Sequence, residues 1–280
     1  MHGRSGMSGE PGFLAAIAHM TRQPLDGRHV AIVVAHPDDE TLGCGALLAR
    51  LKGVRVVVVT DGAPRNLADA GRYGFPDARA YAQARKAELL AALAMAGVPP
   101  QAVTWLGIPD QEACRNMPAV TRALTEFFAA HGISTVLTHA FEGGHPDHDA
   151  TAFSVHAAAR LRDRDALEII EMPFYHLGKG GMSRQEFCDG DENCVLFLDA
   201  AERDCKARMV ACHATQHETL RPFSLEFERF RQAGAYHFAS LPNGGRVLYA
   251  QYDWGLSPPD WPGLVREARD ALAMEAAAWA

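Results

Sequence analysis

Between His36 and Glu40 the chain reads His-Pro-Asp-Asp-Glu, one imidazole followed by three consecutive carboxyl groups, and from Gly143 to Asp149 it reads Gly-Gly-His-Pro-Asp-His-Asp. Imidazole and carboxylate are the donor types of a hydrolytic zinc centre, which takes three protein ligands and keeps a fourth position for water. His36, one of Asp38 and Asp39, and one of His145 and His148 would supply those three donors. The groups left over have complementary uses. A carboxylate beside the water takes its proton, and an imidazole opposite steadies a developing oxyanion or protonates a departing amine. His145 and His148 stand three apart, with Pro146 suited to a first helical turn, so both rings can face one side of a helix start.

Either segment alone is ordinary turn and helix-start chemistry. Their weight comes from the elements that would position them. Short β-branched runs at 30–35, 54–60, 102–106, 134–138 and 167–174 alternate with Ala- and Leu-rich stretches of helical period such as 77–97 and 117–132. This predicts an α/β fold, Rossmann-like, with a mostly parallel sheet and helices on both faces. Such sheets bind ligands beyond the carboxyl ends of their strands. At those ends sit His36 to Glu40, Thr60-Asp61-Gly62, Ile108-Pro109-Asp110 and the run from Thr138 to His148, so nearly every strand tip carries an acid or a histidine.

After Gly178 the alternation stops. Residues 1–28 read as an N-terminal arm with a helical patch at Phe13 to Met20, 29–178 as a catalytic core, and 179–280 as a C-terminal cap that completes the fold. Within the cap we expect a loop or lid at Gly178 to Met182, a helix over 199–212, a helical segment over 223–233, a strand over 246–252 and a helix over 262–279.

Composition narrows the function classes. The 280 residues carry 34 acids against 27 Lys plus Arg, net −7, with no basic cluster, which argues against a nucleic-acid partner. The N-terminal stretch lacks the apolar core of a signal peptide and no apolar run is long enough to span a bilayer, so the expectation is a cytoplasmic protein without membrane insertion. Six cysteines without a C-x-x-C pair are expected to be reduced thiols, mostly buried. Gly43-Cys44-Gly45 lacks the rest of a dinucleotide fingerprint and follows acids that would repel a pyrophosphate. Nothing in the sequence sets the oligomeric state.

The pair Ala-His-Pro-Asp-Asp-Glu and Gly-Gly-His-Pro-Asp-His-Asp-Ala, in this order, resembles the LmbE/PIG-L-like family of zinc-dependent N-deacetylases, which includes the glucosaminyl-phosphatidylinositol, mycothiol and bacillithiol pathway enzymes. The likeness runs from the first strand through the helix after His148, with a weaker continuation from Met209 to Gln216. It implies His36, Asp39 and His148 as zinc ligands, Asp38 as general base, and His145 as oxyanion stabiliser and general acid, with Glu40 left as a helix-N-terminal acid favoured by the dipole. Arg85 matches an arginine that contacts substrate in relatives, and Asp110 an acid that holds sugar hydroxyls; Glu142 and His139 are expected to line the same pocket. The bland reading of Arg85 is a helix-surface ion pair with Glu88. One departure is Phe141, where some thiol-pathway relatives carry an assisting tyrosine.

The implied activity is removal of an N-acyl group, acetyl above all, from an amino sugar or its conjugate. The same ligands would serve a hydrolase of another acyl amide, an ester or a phosphoester, and iron(II) suits them as zinc does. A catalytically silent sugar-binding relative would be expected to lack Asp38 or His145, and both are present. His176, His213, His217 and His237 read as surface or structural residues, and Trp254, Trp261, Tyr249, Tyr252 and Phe230 as core without an assigned role.

Overall fold

β-branched residues fit a pleated, doubly covered surface, and in the computed structural model, which describes residues 12–18, 23–162, 167–190 and 194–274, the apolar runs form a sheet. Its strands are β1 (Val30–Val34), β2 (Arg55–Thr60), β3 (Val103–Ile108), β4 (Thr135–His139) and β5 (Glu168–Met172), all parallel, in the order β3-β2-β1-β4-β5. A hairpin of β6 (Tyr175–Gly178) and β7 (Gly181–Arg184) stands apart from the sheet. β8 (Cys194–Phe197) and β9 (Phe227–Gln232) extend the β5 edge to seven strands, with β9 antiparallel to both neighbours.

Helices α1 (Asp39–Arg50), α2 (Ala78–Met95), α3 (Met117–Ala130), α4 (Pro146–Leu161), α5 (Ala200–Cys212) and α6 (Trp261–Ala271) cover both faces. The two-residue period of β1 divides the core. Ala31 and Val33 pack with Phe128 of α3, Phe153 of α4 and Trp261 of α6, whereas Ile32 and Val34 pack with Leu47 of α1, Leu89 of α2 and Met209 of α5. Each such side chain contributes about 1.5–3 kcal/mol of burial, and that framework holds the strand tips rigid.

The strand order reverses between β1 and β4, which are direct neighbours with Ile32 opposite Leu137. This is the switch point at which open parallel sheets leave a crevice. His36 follows β1, and the loop ending at His145 follows β4.

Several expectations for the C-terminal third are corrected. The segment expected as helical within 223–233 contains strand β9, in which Glu228 and Phe230 turn inward with the period of a strand. Residues 246–252 form a short 3₁₀ turn at Leu248–Gln251, because Val247, Leu248 and Tyr249 are buried consecutively rather than alternately. The Gly-rich stretch after Gly178 is the turn of the β6–β7 hairpin. All six cysteines are free thiols, but only Cys44 and Cys114 are buried and the other four are half-buried. The N-terminal helix covers Phe13–Ala18; Met20 and residues 275–279 lie outside the described residues. Among the described residues no helix is long and apolar enough to cross a membrane.

Candidate metal and catalytic site

Three donors converge at the switch point. His36 Nδ1 lies 3.2 Å from His148 Nε2, and the nearest oxygens of Asp39 are 3.4 Å from the first and 3.5 Å from the second. A tetrahedral zinc with ligand bonds of about 2.0–2.1 Å needs donors roughly 3.3–3.4 Å apart. The triplet fits such an ion. It is built by three different devices: the turn after β1 delivers His36, the first residue of α1 is Asp39, and the first turn of α4 carries His148. Asp39 Oδ2 also accepts the His36 backbone N–H over 2.8 Å, which ties the first two together.

On the far side of its ring, His36 Nε2 faces Asp110 Oδ1 at 3.2 Å and Asp147 Oδ2 at 3.4 Å, though neither contact has hydrogen-bond geometry. Carboxylates behind a ligand imidazole fix its orientation and raise its basicity. His36, Asp110 and His145 form a second close triplet of metal-ligand types. Proton bookkeeping decides between the two. His145 caps α4, and its Nδ1 accepts the Asp147 N–H over 3.1 Å, so in the neutral ring the proton sits on Nε2. That nitrogen is a donor, and the His36–Asp39–His148 triplet is the better cation site.

Asp38 lies beside the triplet, and Arg85 Nη2 donates to its Oδ2 over 2.8 Å. The guanidinium also donates to the Gly62 carbonyl over 2.6 Å and has Asp110 Oδ2 at 3.8 Å. Gly62 is required here: its φ is +66°, and a Cβ would fall 2.5 Å from Arg85 Nη1. The arginine is thus a clamp on acids rather than a helix-surface partner of Glu88, which instead accepts from Thr215 Oγ1 over 2.7 Å. Burial pushes Asp38 above the usual carboxylate range, with Arg85 opposing. Burial works the same way on Asp110, but His36, His145 and Arg85 outweigh it and hold that acid well below the ordinary range. His145 is driven well below the usual imidazole value by burial, reinforced by the neighbouring His36 and His148.

Glu40 stands in the first turn of α1, as expected. It is fully buried, its carboxyl takes the Thr41 hydroxyl at 2.6 Å, and burial pushes it up to about 8.

The cleft above these groups has a volume of about 240 Å³. Its lining combines polar side chains, Asp38, Asp69, Arg85, Asp110 and Gln111 among them, with the apolar or aromatic Leu42, Tyr175, Leu220, Phe223 and Trp254. Tyr175 reaches it because Gly144 leaves room: a Cβ there would sit 2.0 Å from the Tyr175 carbonyl oxygen. The Trp254 ring lies 4.8 Å from that of His145, and Tyr252 stacks on it at 4.2 Å with 6° between planes.

Of the residues expected from sequence, the structure brings His36, Asp38, Asp39, Arg85, Asp110, His145 and His148 to this one cleft. His139 and Glu142 are not among its lining residues. His139 is fully buried, accepts the Ala35 N–H on Nε2 over 2.8 Å and stacks on His148 at 4.0 Å, so it backs that ring. Glu142 accepts the Cys188 N–H over 2.7 Å and lines a separate cavity with Arg231. Phe141 packs against Phe238 in the core. His213 is buried and structural, its Nε2 3.2 Å from Thr41 Oγ1. Sequence reasoning missed the apolar part of the lining. Trp254 was visible as an aromatic without a function, but nothing local marks Tyr175, Leu220 or Phe223.

Residues 31–159 match the family model described as PIG-L, GlcNAc-PI de-N-acetylase. No curated protein matches the chain significantly in sequence. Among solved structures, the pseudoaglycone deacetylase of an antimicrobial reagent superposes with a TM-score of 0.55 at 24% identity, covering 70% of this chain and 85% of that one. A deacetylase of teicoplanin biosynthesis gives 0.56 at 16% identity over 74% and 99%. The N,N'-diacetylchitobiose deacetylase from Pyrococcus horikoshii gives 0.54 at 19% over 79% and 90%. At these identities the likeness is one of fold.

Proposed function

We propose, on the premise that residues 31–159 form a PIG-L family domain, that this chain hydrolyses the N-acyl group, principally acetyl, of an amino sugar or an amino-sugar conjugate. The observation that carries the reading is the convergence of His36 Nδ1, His148 Nε2 and Asp39 at separations of 3.2–3.5 Å, in a cleft that Asp38 and His145 also line. Support for the substrate class comes from the family description and from fold neighbours that are deacetylases of teicoplanin biosynthesis and of N,N'-diacetylchitobiose.

His36, Asp39 and His148 would hold a divalent metal, zinc by preference with iron(II) as the alternative, whose chemistry when bound is Lewis-acid polarisation of the acyl carbonyl and acidification of water. The protein's own groups do the rest. Arg85 occupies one oxygen of Asp38 and leaves the other to take a proton from the attacking water. Burial raises the basicity of that carboxylate, which suits a general base. His145, neutral and with its proton on Nε2, donates to the carbonyl oxygen as negative charge develops there. The proton that Asp38 takes from the water is the one returned to the departing amine. The products are a carboxylate and a free amino sugar.

The test is amine release from a panel of N-acetylglucosamine conjugates by purified protein, before and after chelation, with zinc or iron(II) returned. Release that follows the metal supports the reading, and the better of the two metals names the cofactor. Inertness toward every amino sugar, in protein shown to hold one metal per chain, refutes the substrate class.

A further inference from the structure

Helix α1, which presents Asp39, is broken. Cys44 has φ −149° and ψ 29°, outside helical space, so the element consists of two shorter helices joined at a kink. In an unbroken helix the Ala46 N–H would bond to the Leu42 carbonyl, and that of Leu47 to Gly43. Here side chains take their place. Glu228 of β9 accepts the Ala46 N–H on Oε1 over 2.7 Å and the Leu47 N–H on Oε2 over 3.0 Å. Lys206 of α5 donates to the Leu42 carbonyl over 2.8 Å, and its ammonium is 2.8 Å from Glu228 Oε1. Both charged side chains are completely buried.

Burying a lysine and a glutamate is expensive, and a continuous helix would satisfy the same backbone groups without them. What the break changes is the direction of the first half-helix. That half starts at Asp39 and is anchored again from α5, whose C-terminal His213 has Nε2 3.2 Å from Thr41 Oγ1. We infer that Lys206 and Glu228 are positioning residues for Asp39: the pair splints the kink of α1 and sets the angle at which the first turn offers its carboxylate to His36 and His148. This rests on the metal reading above. It also gives the region after Gly178 a part in the site without touching substrate.

The test is zinc affinity, measured by competition with a chromophoric chelator, for the wild-type chain, the double variant Lys206→Met with Glu228→Gln, and Lys206→Arg. The double variant removes both charges together, so no lone buried charge unfolds it. We expect it to melt cooperatively and to bind zinc about tenfold or more weakly, the scale of an outer-sphere defect. Lys206→Arg, which keeps a donor for the Leu42 carbonyl, should lie between the two. Wild-type zinc affinity in the folded double variant overturns the inference, whereas a wild-type chain that holds no zinc sinks the metal reading itself. Should the double variant fail to fold, hydrogen exchange on the wild-type chain decides. Zinc should slow the Ala46 and Leu47 amides about tenfold, and equal rates with and without zinc overturn the coupling.

Discussion

Arg85 Nη2 stands 2.8 Å from Asp38 Oδ2, with both side chains buried, and this ion pair gives two adjacent aspartates different partners. Asp39 turns toward two imidazoles, Asp38 toward a guanidinium. Asp38→Asn should therefore retain the metal, measured as bound zinc per chain, while turnover falls by about 10²–10⁴-fold, the range of general acid–base catalysis. Loss of zinc with this substitution would refute the division of roles.

The same pair predicts a stability defect. Arg85→Met leaves Asp38 buried without its partner, and breaking a buried pair from one side costs about 3–5 kcal/mol. Urea denaturation should report that loss, accompanied by a fall in kcat because the base is no longer held. A variant as stable and as active as wild type would mean that Arg85 is an ordinary surface cation, which its burial argues against.

The proposal gives His145 two separable parts. Its Nδ1 caps α4, and as a cleft residue it would donate from Nε2. Asparagine is also a good N-cap, so His145→Asn should keep the melting temperature close to wild type yet lower kcat about 10²–10³-fold, the usual effect of losing one oxyanion donor. KM should change little. A rise in KM with kcat intact would assign His145 to substrate binding instead.

How much of this was legible in the sequence differs by element. That His36, Asp38, Asp39, His145 and His148 share one cleft was readable, because strand-end motifs place chemistry where a parallel sheet must bind ligands, whereas the split into ligands, base and oxyanion donor came from the resemblance alone. Arg85 was readable as a residue but not as a clamp, since its partners Gly62 and Asp38 come from other loops. Strand β9 was hidden by aromatic and arginine content that reads as an amphipathic helix, and it is the partner β8 that fixes its period. The Lys206–Glu228 splint joins residues 164 and 182 positions away from their backbone partners on α1. No local pattern announces contacts of that range.

Glu142 offers a pH test that is independent of the cleft. Burial raises its carboxyl to about 8 from an ordinary 4.5, even though the Cys188 N–H and Arg231 oppose the shift. The folded state therefore holds a proton that the unfolded state releases between these two values. The contribution is complete below the unfolded value and fades as pH rises through about 8, with a slope of about 1.4 kcal/mol per pH unit for one proton. The melting temperature should decline from pH 6 to pH 9, and Glu142→Gln should flatten that decline without altering kcat/KM. An unchanged slope would mean that Glu142 is ionised in the folded chain.

Trp254 carries the last prediction, because it belongs to the part of the chain beyond the family-matched segment and yet stands on the cleft wall. Tyr252, stacked 4.2 Å behind it, fixes the indole plane, and the His145 ring lies 4.8 Å from the indole. A rigid aromatic face next to the reacting centre suits the apolar face of a sugar ring, an interaction of about 0.5–1.5 kcal/mol beyond simple burial. Because such stacking is equal in ground and transition states, Trp254→Ala should raise KM for an N-acetylglucosamine conjugate about tenfold and leave kcat within about twofold. Trp254→Phe should recover most of the loss. If instead kcat falls and KM holds, the indole acts through His145, by fixing the ring that donates to the carbonyl oxygen, rather than by gripping the sugar.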